Sequence, residues 1–470
     1  MTIVITFYSC QQEEKRPNII FILSDDHTMG AISAYGNSMM ATPHIDKLAD
    51  EGMRFNNCFN VVSLCGPSRA AILSGRYSVH NGYMRNGNSF DRNQISFPKL
   101  LQLAGYETAV IGKWHLLTQP AGFDYYNVIP YQGKYFDCKM KETGQDWQDG
   151  NEGGIVQPGY LTDVITDEAI EWLKKRDQDK PFCLLVHHKA PHGPYHYPER
   201  YEKIFADTTL TEPDNFYDNL EGKNRELVEG NCGYTKLSTI YPSHFNSQMP
   251  DSLEKGKTGY KKWAYQHVIK GYYRLVAALD ENIGRLMNFV DETGLNKNTL
   301  VVYTSDNGWF LGEHGFFNKM WMYEESLKVP LIIRYPKKVE RALVSDDFVS
   351  VLDFAATFLD YAGIEKPEQF QGQSIRTILE GKTPDNWQAS HFYHYFGQFE
   401  VPSHYGIRTK NYKLIYFYEA KEEPLWELYD LKKDPKEMIN VIEDPAYAQT
   451  IKDLKLLLNQ KRNKLELSKL

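Results

Sequence analysis

The chain has 470 residues, 42% of them hydrophobic and 24% charged, which is enough for a large buried core and ordinary for a globular protein. That composition excludes a disordered, collagen-like or disulfide-stapled chain, and no run approaches the ~18 consecutive apolar residues of a membrane span. Lys plus Arg total 53 against 61 Asp plus Glu, a net charge of −8 with no basic run, which argues against nucleic acid and anionic membranes as partners.

Residues 1–16 read as a signal or lipoprotein remnant or a disordered end. A short apolar stretch, 3–9, runs into Cys10, and a polar run, 11–16, follows. This resembles the end of a bacterial lipoprotein signal peptide with a lipid anchor on Cys10, and implies a periplasmic, outer-membrane or cell-surface protein. Short apolar runs at 18–23, 108–111, 182–186, 300–304 and 329–334 read as buried parallel strands. Helices are expected between them. Thr42-Pro43 starts one that Gly52 closes, and another spans 97–104 from Pro98 to Gly105. Longer amphipathic segments cover 162–176 and 265–293, and 350–361 ends before Gly363. The alternation predicts an α/β fold over 17–375 with a mixed, mostly parallel sheet flanked by helices. Residues 203–262, rich in Asp, Asn, Pro and Gly, read as a surface insertion. From 376 to 470 a smaller α+β subdomain is expected, with strands at 414–418 and 426–431 and a helix over 446–467.

Polar clusters follow four of the apolar runs: Ser24-Asp25-Asp26-His27, Gly112-Lys113-Trp114-His115, His187-His188-Lys189-Ala190-Pro191-His192 and Ser305-Asp306-Asn307-Gly308. Ligands of open α/β sheets bind beyond the carboxyl ends of the strands, so the four clusters are expected to share one pocket. Asp25, Asp26, Asp306 and Asn307 offer oxygen ligands, the set preferred by Ca²⁺ or Mg²⁺; a two-zinc site needs several histidines instead. Lys113 and His115 point the same way if the chain stays extended. With His192 and Lys319 they supply cations for an anionic substrate and candidates for acid–base work. The six cysteines fit no CxxC site or disulfide framework and read mostly as buried thiols. Cys65 stands apart. Pro67 puts it near a helix N-terminus, where the dipole favours an anion and a low-pKa thiol.

Residues 65–76 read Cys-Gly-Pro-Ser-Arg-Ala-Ala-Ile-Leu-Ser-Gly-Arg. Cys-x-Pro-Ser-Arg followed by Leu-Ser-Gly-Arg resembles the signature of the type I, formylglycine-dependent sulfatases of the alkaline phosphatase superfamily. The similarity runs from Arg16-Pro17-Asn18 to the Tyr429-Asp430-Leu431 region. It implies that a maturation enzyme oxidises Cys65 to formylglycine (3-oxoalanine). It also implies that Asp25, Asp26, Asp306 and Asn307, with residue 65, hold one Ca²⁺. By the same resemblance Arg69 orients the formylglycine, Lys113 and Lys319 bind sulfate oxygens, His192 protonates the leaving alcohol and His115 deprotonates the second hydroxyl of the hydrate so that sulfate departs. An ordinary Ser lacks that second hydroxyl and would stay sulfated.

Ser24-Asp25-Asp26-His27-Thr28, Gly112-Lys113-Trp114-His115-Leu116, His188-Lys189-Ala190-Pro191-His192 and His404-Tyr405-Gly406-Ile407-Arg408-Thr409 most resemble bacterial N-acetylglucosamine-6-sulfatases acting on heparin or heparan sulfate. The implied substrate is therefore a sulfated glycan, with another sulfated sugar (galactosamine, galactose or a uronic acid) as the alternative. His391, His394, His404 and Arg408 are expected to line the sugar pocket, with sheet packing as the competing reading. A phosphoester hydrolase of the same superfamily would carry Ser or Thr and a His-rich two-metal site. An inactive glycan-binding module need not keep the whole set. A thiolate hydrolase would use Cys65 directly.

Overall fold

The computed structural model describes residues 15–147, 153–229, 232–242, 248–250, 252–253, 258–421 and 423–467. Its centre is a ten-stranded sheet built from β1 (Asn18–Asp25), β2 (Met53–Phe55), β4 (Glu107–Lys113), β5 (Tyr125–Ile129), β6 (Phe136–Glu142), β7 (Ile155–Tyr160), β8 (Phe182–Pro191), β9 (Thr299–Ser305), β12 (Leu331–Arg334) and β13 (Leu343–Ser345). The order is β13-β2-β12-β9-β1-β8-β4-β5-β6-β7. Two-residue strands β3 (Cys58–Phe59), β10 (Phe310–Leu311), β11 (Phe317–Asn318) and β14 (Val349–Ser350) form two small ribbons outside it.

The parallel centre β9-β1-β8-β4-β5 comes from four of the five apolar runs together with β5, which the hydropathy does not mark. The run at 329–334 departs from expectation: β12 lies antiparallel to both β9 and β2. Hydropathy reports burial on both faces, which an antiparallel strand inside a covered sheet shares, so strand direction is not encoded in it.

Alternation within β1 divides the core. Ile19, Phe21 and Leu23 pack under helices Cys65–Ser74, Phe97–Leu103 and Asp353–Tyr361, while Ile20 and Ile22 face helices Leu161–Lys175 and Thr258–Glu292. Two covered faces make a three-layer α/β body. The region 203–262, expected on the surface, is tied into this body over its described residues. Phe216, Leu227, Cys232 and Tyr234 are 0–1% exposed, and Tyr234 packs on Tyr265 and Phe317.

Beyond the main sheet, β15 (Ser390–Tyr395), β16 (His404–Thr409), β17 (Tyr412–Phe417) and β18 (Trp426–Asp430) form an antiparallel sheet in chain order. Helix Ala448–Lys464 covers it through Leu454 and Leu458 against Ile407, Leu414 and Leu428. This second layer pair matches the expected α+β subdomain and adds two strands, β15 and β16, that the sequence reading did not assign. The amide of His394 donates to Val61 O at 3.0 Å, and Tyr393 bridges the amide of Ser63 and the carbonyl of Met320, which seats the sheet against the segments that carry the site.

Candidate active site

The carboxyl ends of β1, β4, β8 and β9 converge as expected. β1 keeps register with β9 to Ser24–Ser305, but its register with β8 shifts between Leu23 and Asp25. Asp26 follows with φ 66°, so the strand end turns and both carboxylates aim inward. On β9 the amide of Asp306 bonds Ser24 O at 3.0 Å, and the amide of Asp26 returns a bond to Asp306 Oδ1 at 3.1 Å. The two acidic pairs are locked to one another by backbone bonds.

β4 delivers Lys113, and there the extended geometry ends. Gly112 has φ 104°, and a Cβ on it would lie 2.0 Å from His187 O. His115 sits in the left-handed region at φ 62°. The expectation that Lys113 and His115 share a face of an extended chain is thereby corrected: a turn, not the strand period, brings both toward the carboxylates. Lys113 pairs with Asp25 and bonds Gln132 Oε1 at 2.8 Å, while the ring of His115 meets Tyr131 edge-on at 4.8 Å.

Cys65 opens the helix Cys65–Ser74, every residue of which is buried. One turn on, Arg69 donates from Nε to Asp306 Oδ2 at 2.8 Å and from Nη1 to Lys113 O at 2.6 Å. Ser68 Oγ bonds Asp306 O at 2.7 Å, so the signature helix is fastened to the acidic strand end. Lys319, flanked by Asn318 and Met320 with φ of 83° and 87°, donates to Cys65 Sγ at 2.7 Å and pairs with Asp26. His192 commits Nδ1 to Gly193 O at 2.6 Å and presents Nε2 3.6 Å from Asp26 Oδ2.

Three cations, Lys113, Lys319 and Arg69, thus face three carboxylates in a space closed to water. Burial alone would raise Asp25, but Lys113, His192, Arg69 and Lys319 together hold it well below the usual carboxylate range. Burial, opposed by Lys319 and reinforced by Asp25 and Asp306, pushes Asp26 up to about 7. Burial, reinforced by Lys113, keeps His115 neutral; His192 is kept neutral by burial against the pull of Asp25. Cys65 departs from the low-pKa expectation. Burial and then Asp25 push its thiol well up, against Lys319 and Lys113. A protonated, water-excluded thiol is a poor thiolate nucleophile.

Several atoms lack a hydrogen bond, although Arg69 Nη2 stands 4.0 Å from Asp25 Oδ1. Asp25 Oδ1, Asp26 Oδ2, Arg69 Nη2 and both ring nitrogens of His115 are buried without a hydrogen bond. A buried polar atom left in this way costs roughly 1–3 kcal/mol, so the arrangement is complete only with a ligand. Ligand atoms of Asp25, Asp26, Cys65 and His192 all lie within 4.8 Å of one another, a grouping that fits a cation. Asp306 and Asn307 stand directly behind: Asn307 Nδ2 donates to Asp306 Oδ1 at 2.9 Å and Asp26 Oδ1 at 3.2 Å. The amide thus turns its donor toward the carboxylates, while Asn60 Nδ2 donates to Asn307 Oδ1 at 3.0 Å.

The four residues expected to line a sugar pocket do not form one wall. His391 bonds Asn60 O at 2.8 Å and stacks on Phe59. His394 meets Tyr418 Oη at 3.1 Å, and His404 bonds Pro402 O at 2.8 Å between aromatic rings. Arg408 pairs with Glu324 at 3.0 Å. All four are buried in the C-terminal sheet, which is the packing reading. Asn60, Gln132 and Asn86, which accepts the amide of Gly66 at 3.0 Å, join the site without any periodic or motif signal in the sequence.

The sulfatase family model matches residues 17–364, and the model for the C-terminal part of N-sulphoglucosamine sulphohydrolase matches 312–464. The chain is 42% identical to an N-acetylglucosamine-6-O-sulfatase of Bacteroides thetaiotaomicron over 96% of this chain and 87% of that protein. It is 27% identical to an arylsulfatase of Clostridium perfringens, covering 94% of each. A solved structure in complex with its substrate D-glucosamine-2-N,6-O-disulfate superposes with TM-score 0.89 and 41% identity, over 97% of this chain and 99% of that one. A phosphonate monoester hydrolase from Silicibacter pomeroyi shares the fold at TM-score 0.74 and 23% identity.

Proposed function

The chain belongs to the sulfatase family, and we propose that it removes the 6-O-sulfate of N-acetylglucosamine units in heparin or heparan sulfate. The observation that carries the reading is the ring of Lys113, Lys319, Arg69, His115 and His192 around Cys65, in a chain so similar to a protein of that activity. Cys65 is the encoded precursor of formylglycine, and its Sγ stands where the nucleophilic oxygen would lie; the modified residue supplies the hydroxyl that attacks sulfur. Asp25, Asp26 and Asp306 would hold Ca²⁺, with Asn307 joining through Oδ1 once its amide is turned over, and the ion would supply a fixed positive charge for the developing anion; Asp25 Oδ1 and Asp26 Oδ2, which lack hydrogen bonds, support that fit.

The remaining work falls to side chains of this protein. Lys113 and Lys319 bring two ammonium groups to the sulfate oxygens, replacing water with fixed donors. Arg69, braced on Asp306 and Lys113 O, keeps Nη2 free to orient residue 65. His192 holds its Nδ1–H on Gly193 O, so Nε2 is the nitrogen left to take up a proton and pass it to the leaving sugar oxygen. His115, neutral and with both nitrogens open, takes the proton whose loss allows sulfate to depart. We further propose a lipid anchor at Cys10, outside the described residues, and a periplasmic or cell-surface location.

Two measurements test the reading. The mass of the Cys65 peptide from the native host is expected to show an aldehyde. The matured protein is expected to release sulfate from N-acetylglucosamine-6-sulfate in preference to galactosamine, galactose or uronic acid sulfates. A plain thiol in folded, native-host protein, or faster release from another sugar sulfate, overturns it. Membrane-fraction recovery lost in Cys10→Ala tests the anchor; soluble protein retaining Met1 sinks it.

A further inference from the structure

A cavity of 620 Å³ opens behind the His192 loop, between that loop and the long helix Thr258–Glu292. The helix presents Trp263, His267, Lys270 and Arg274 to it, at spacings of three and four that make one stripe. The loop supplies Tyr195 and Tyr197 to the opposite wall. Among the described residues no carboxylate lines the cavity, although the whole chain carries a net −8.

Its walls are fastened to the catalytic loop. Tyr195 is three residues beyond His192, at most about 11 Å of chain. Gly271 allows the helix to press on that loop, since a Cβ there would lie 2.6 Å from Tyr195 Cβ. At the rim Phe136 is 43% exposed, and its neighbour Tyr135 donates to His192 O at 2.6 Å.

The lining has the chemistry of a saccharide site. Trp263 and His267 stack at 5.3 Å, offering a flat aromatic surface to the apolar face of a sugar ring. Arg274 is braced over Tyr197 and on Ile204 O at 3.0 Å. Lys270 is half-buried and has no hydrogen bond or ion pair among the described residues. A fixed guanidinium and a free ammonium beside aromatic rings suit a carboxylate or sulfate carried on a sugar.

Resting on the function proposed above, we infer that this cavity binds a second, acidic sugar unit of the glycan whose neighbouring unit carries the scissile sulfate. Distal binding of this kind raises kcat/KM for a polymer and leaves the monosaccharide reaction alone.

The test uses the matured, metal-loaded enzyme with two substrates: N-acetylglucosamine-6-sulfate, and a heparan-type tetrasaccharide bearing 6-O-sulfated N-acetylglucosamine. Lys270→Glu is expected to lower kcat/KM on the tetrasaccharide about tenfold, mainly through KM, with the monosaccharide rate unchanged. Trp263→Ala should act in the same direction. Should the tryptophan variant not fold, the exposed edge of Lys270 still permits the first substitution. An unaltered tetrasaccharide-to-monosaccharide ratio in Lys270→Glu overturns the inference. If the unmutated enzyme desulfates neither compound, the function proposed above fails instead. Calorimetric titration of the tetrasaccharide into Cys65 protein and its Lys270→Glu variant then decides separately, equal affinities rejecting the cavity as a site.

Discussion

Two regions of this protein bury histidines and arginines to nearly the same degree and use them oppositely. In the C-terminal sheet each of His391, His394 and His404 keeps one ring nitrogen bonded to protein, and Arg408 closes on Glu324 and Thr409 O. In the pocket at the strand ends, His115 has neither nitrogen bonded, and Arg69 Nη2 lacks a hydrogen bond, as does Asp25 Oδ1 beside it. Burial therefore does not separate a functional polar cluster from a structural one. What separates them is that each sheet histidine keeps one bond to protein, although His394 Nδ1 and His404 Nε2 go without, whereas His115 keeps none. A site leaves valences for its ligand and tolerates the cost because the surrounding strands and helix hold it rigid.

The comparison can be broken most forcefully at the pocket. His192→Ala is expected to lower turnover by roughly 10²–10⁴-fold with the melting temperature held, because the residue donates a proton to the leaving group and only one ring is lost. Initial rates and thermal melts on the same preparation check it; a melting loss without a rate loss would make His192 a packing residue.

Arg408→Ala should do the reverse. It removes one of three cations around Glu324, which keeps Lys413 and Lys328, so the loss should be about 1.5–3 kcal/mol, as for a hydrogen bond to a charged group, while sulfate release per folded molecule stays near the unmutated value. Urea denaturation with activity measured on the folded fraction reads both quantities. A selective rise in KM would return Arg408 to the sugar pocket.

His404→Phe is the milder contrast. Its ring lies between Trp321 and Tyr393, so an aromatic replacement keeps the stacking but leaves Pro402 O without its donor, which should cost about 1–3 kcal/mol and leave KM alone.

The smallest effect is a pH dependence. Burial pushes His391 and His394 down to about 3 and His404 down to about 4, so all three rings are neutral when folded. Unfolded, they take protons below about 6.5. The unfolded state then binds more protons, so stability is full above that pH and falls as pH drops toward 4. Asp353 and Asp280, pushed up to about 6 by burial, and Asp26 and Glu325, pushed up to about 7 and about 8, work the other way, while His27 and His188, pushed down to about 3, act with the rings. The share of one ring is read by difference: from pH 7 to 4 the melting temperature of His404→Phe should fall less, or rise more, than that of the unmutated protein.

Much of this was legible in the chain. Runs such as 18–23 and 300–304 announce strands because a doubly covered sheet demands unbroken apolar sequence, and Asp25, Asp26, Asp306 and Asn307 follow them directly. The start of the helix bearing Cys65 and Arg69 was likewise readable, since Pro67 marks it in a local code. The tertiary structure decided the rest. The antiparallel sense of β12, the turn that aims His115 and the sealing of His391 and Arg408 all depend on partners 27 or more residues away in sequence. The raised Asp26 carboxyl and the protonated Cys65 thiol depend on the same distant neighbours, because a charge responds to everything within a few ångströms in space. Composition and motif name the side chains; only packing fixes which of their hydrogen bonds the protein completes and which it leaves for a ligand.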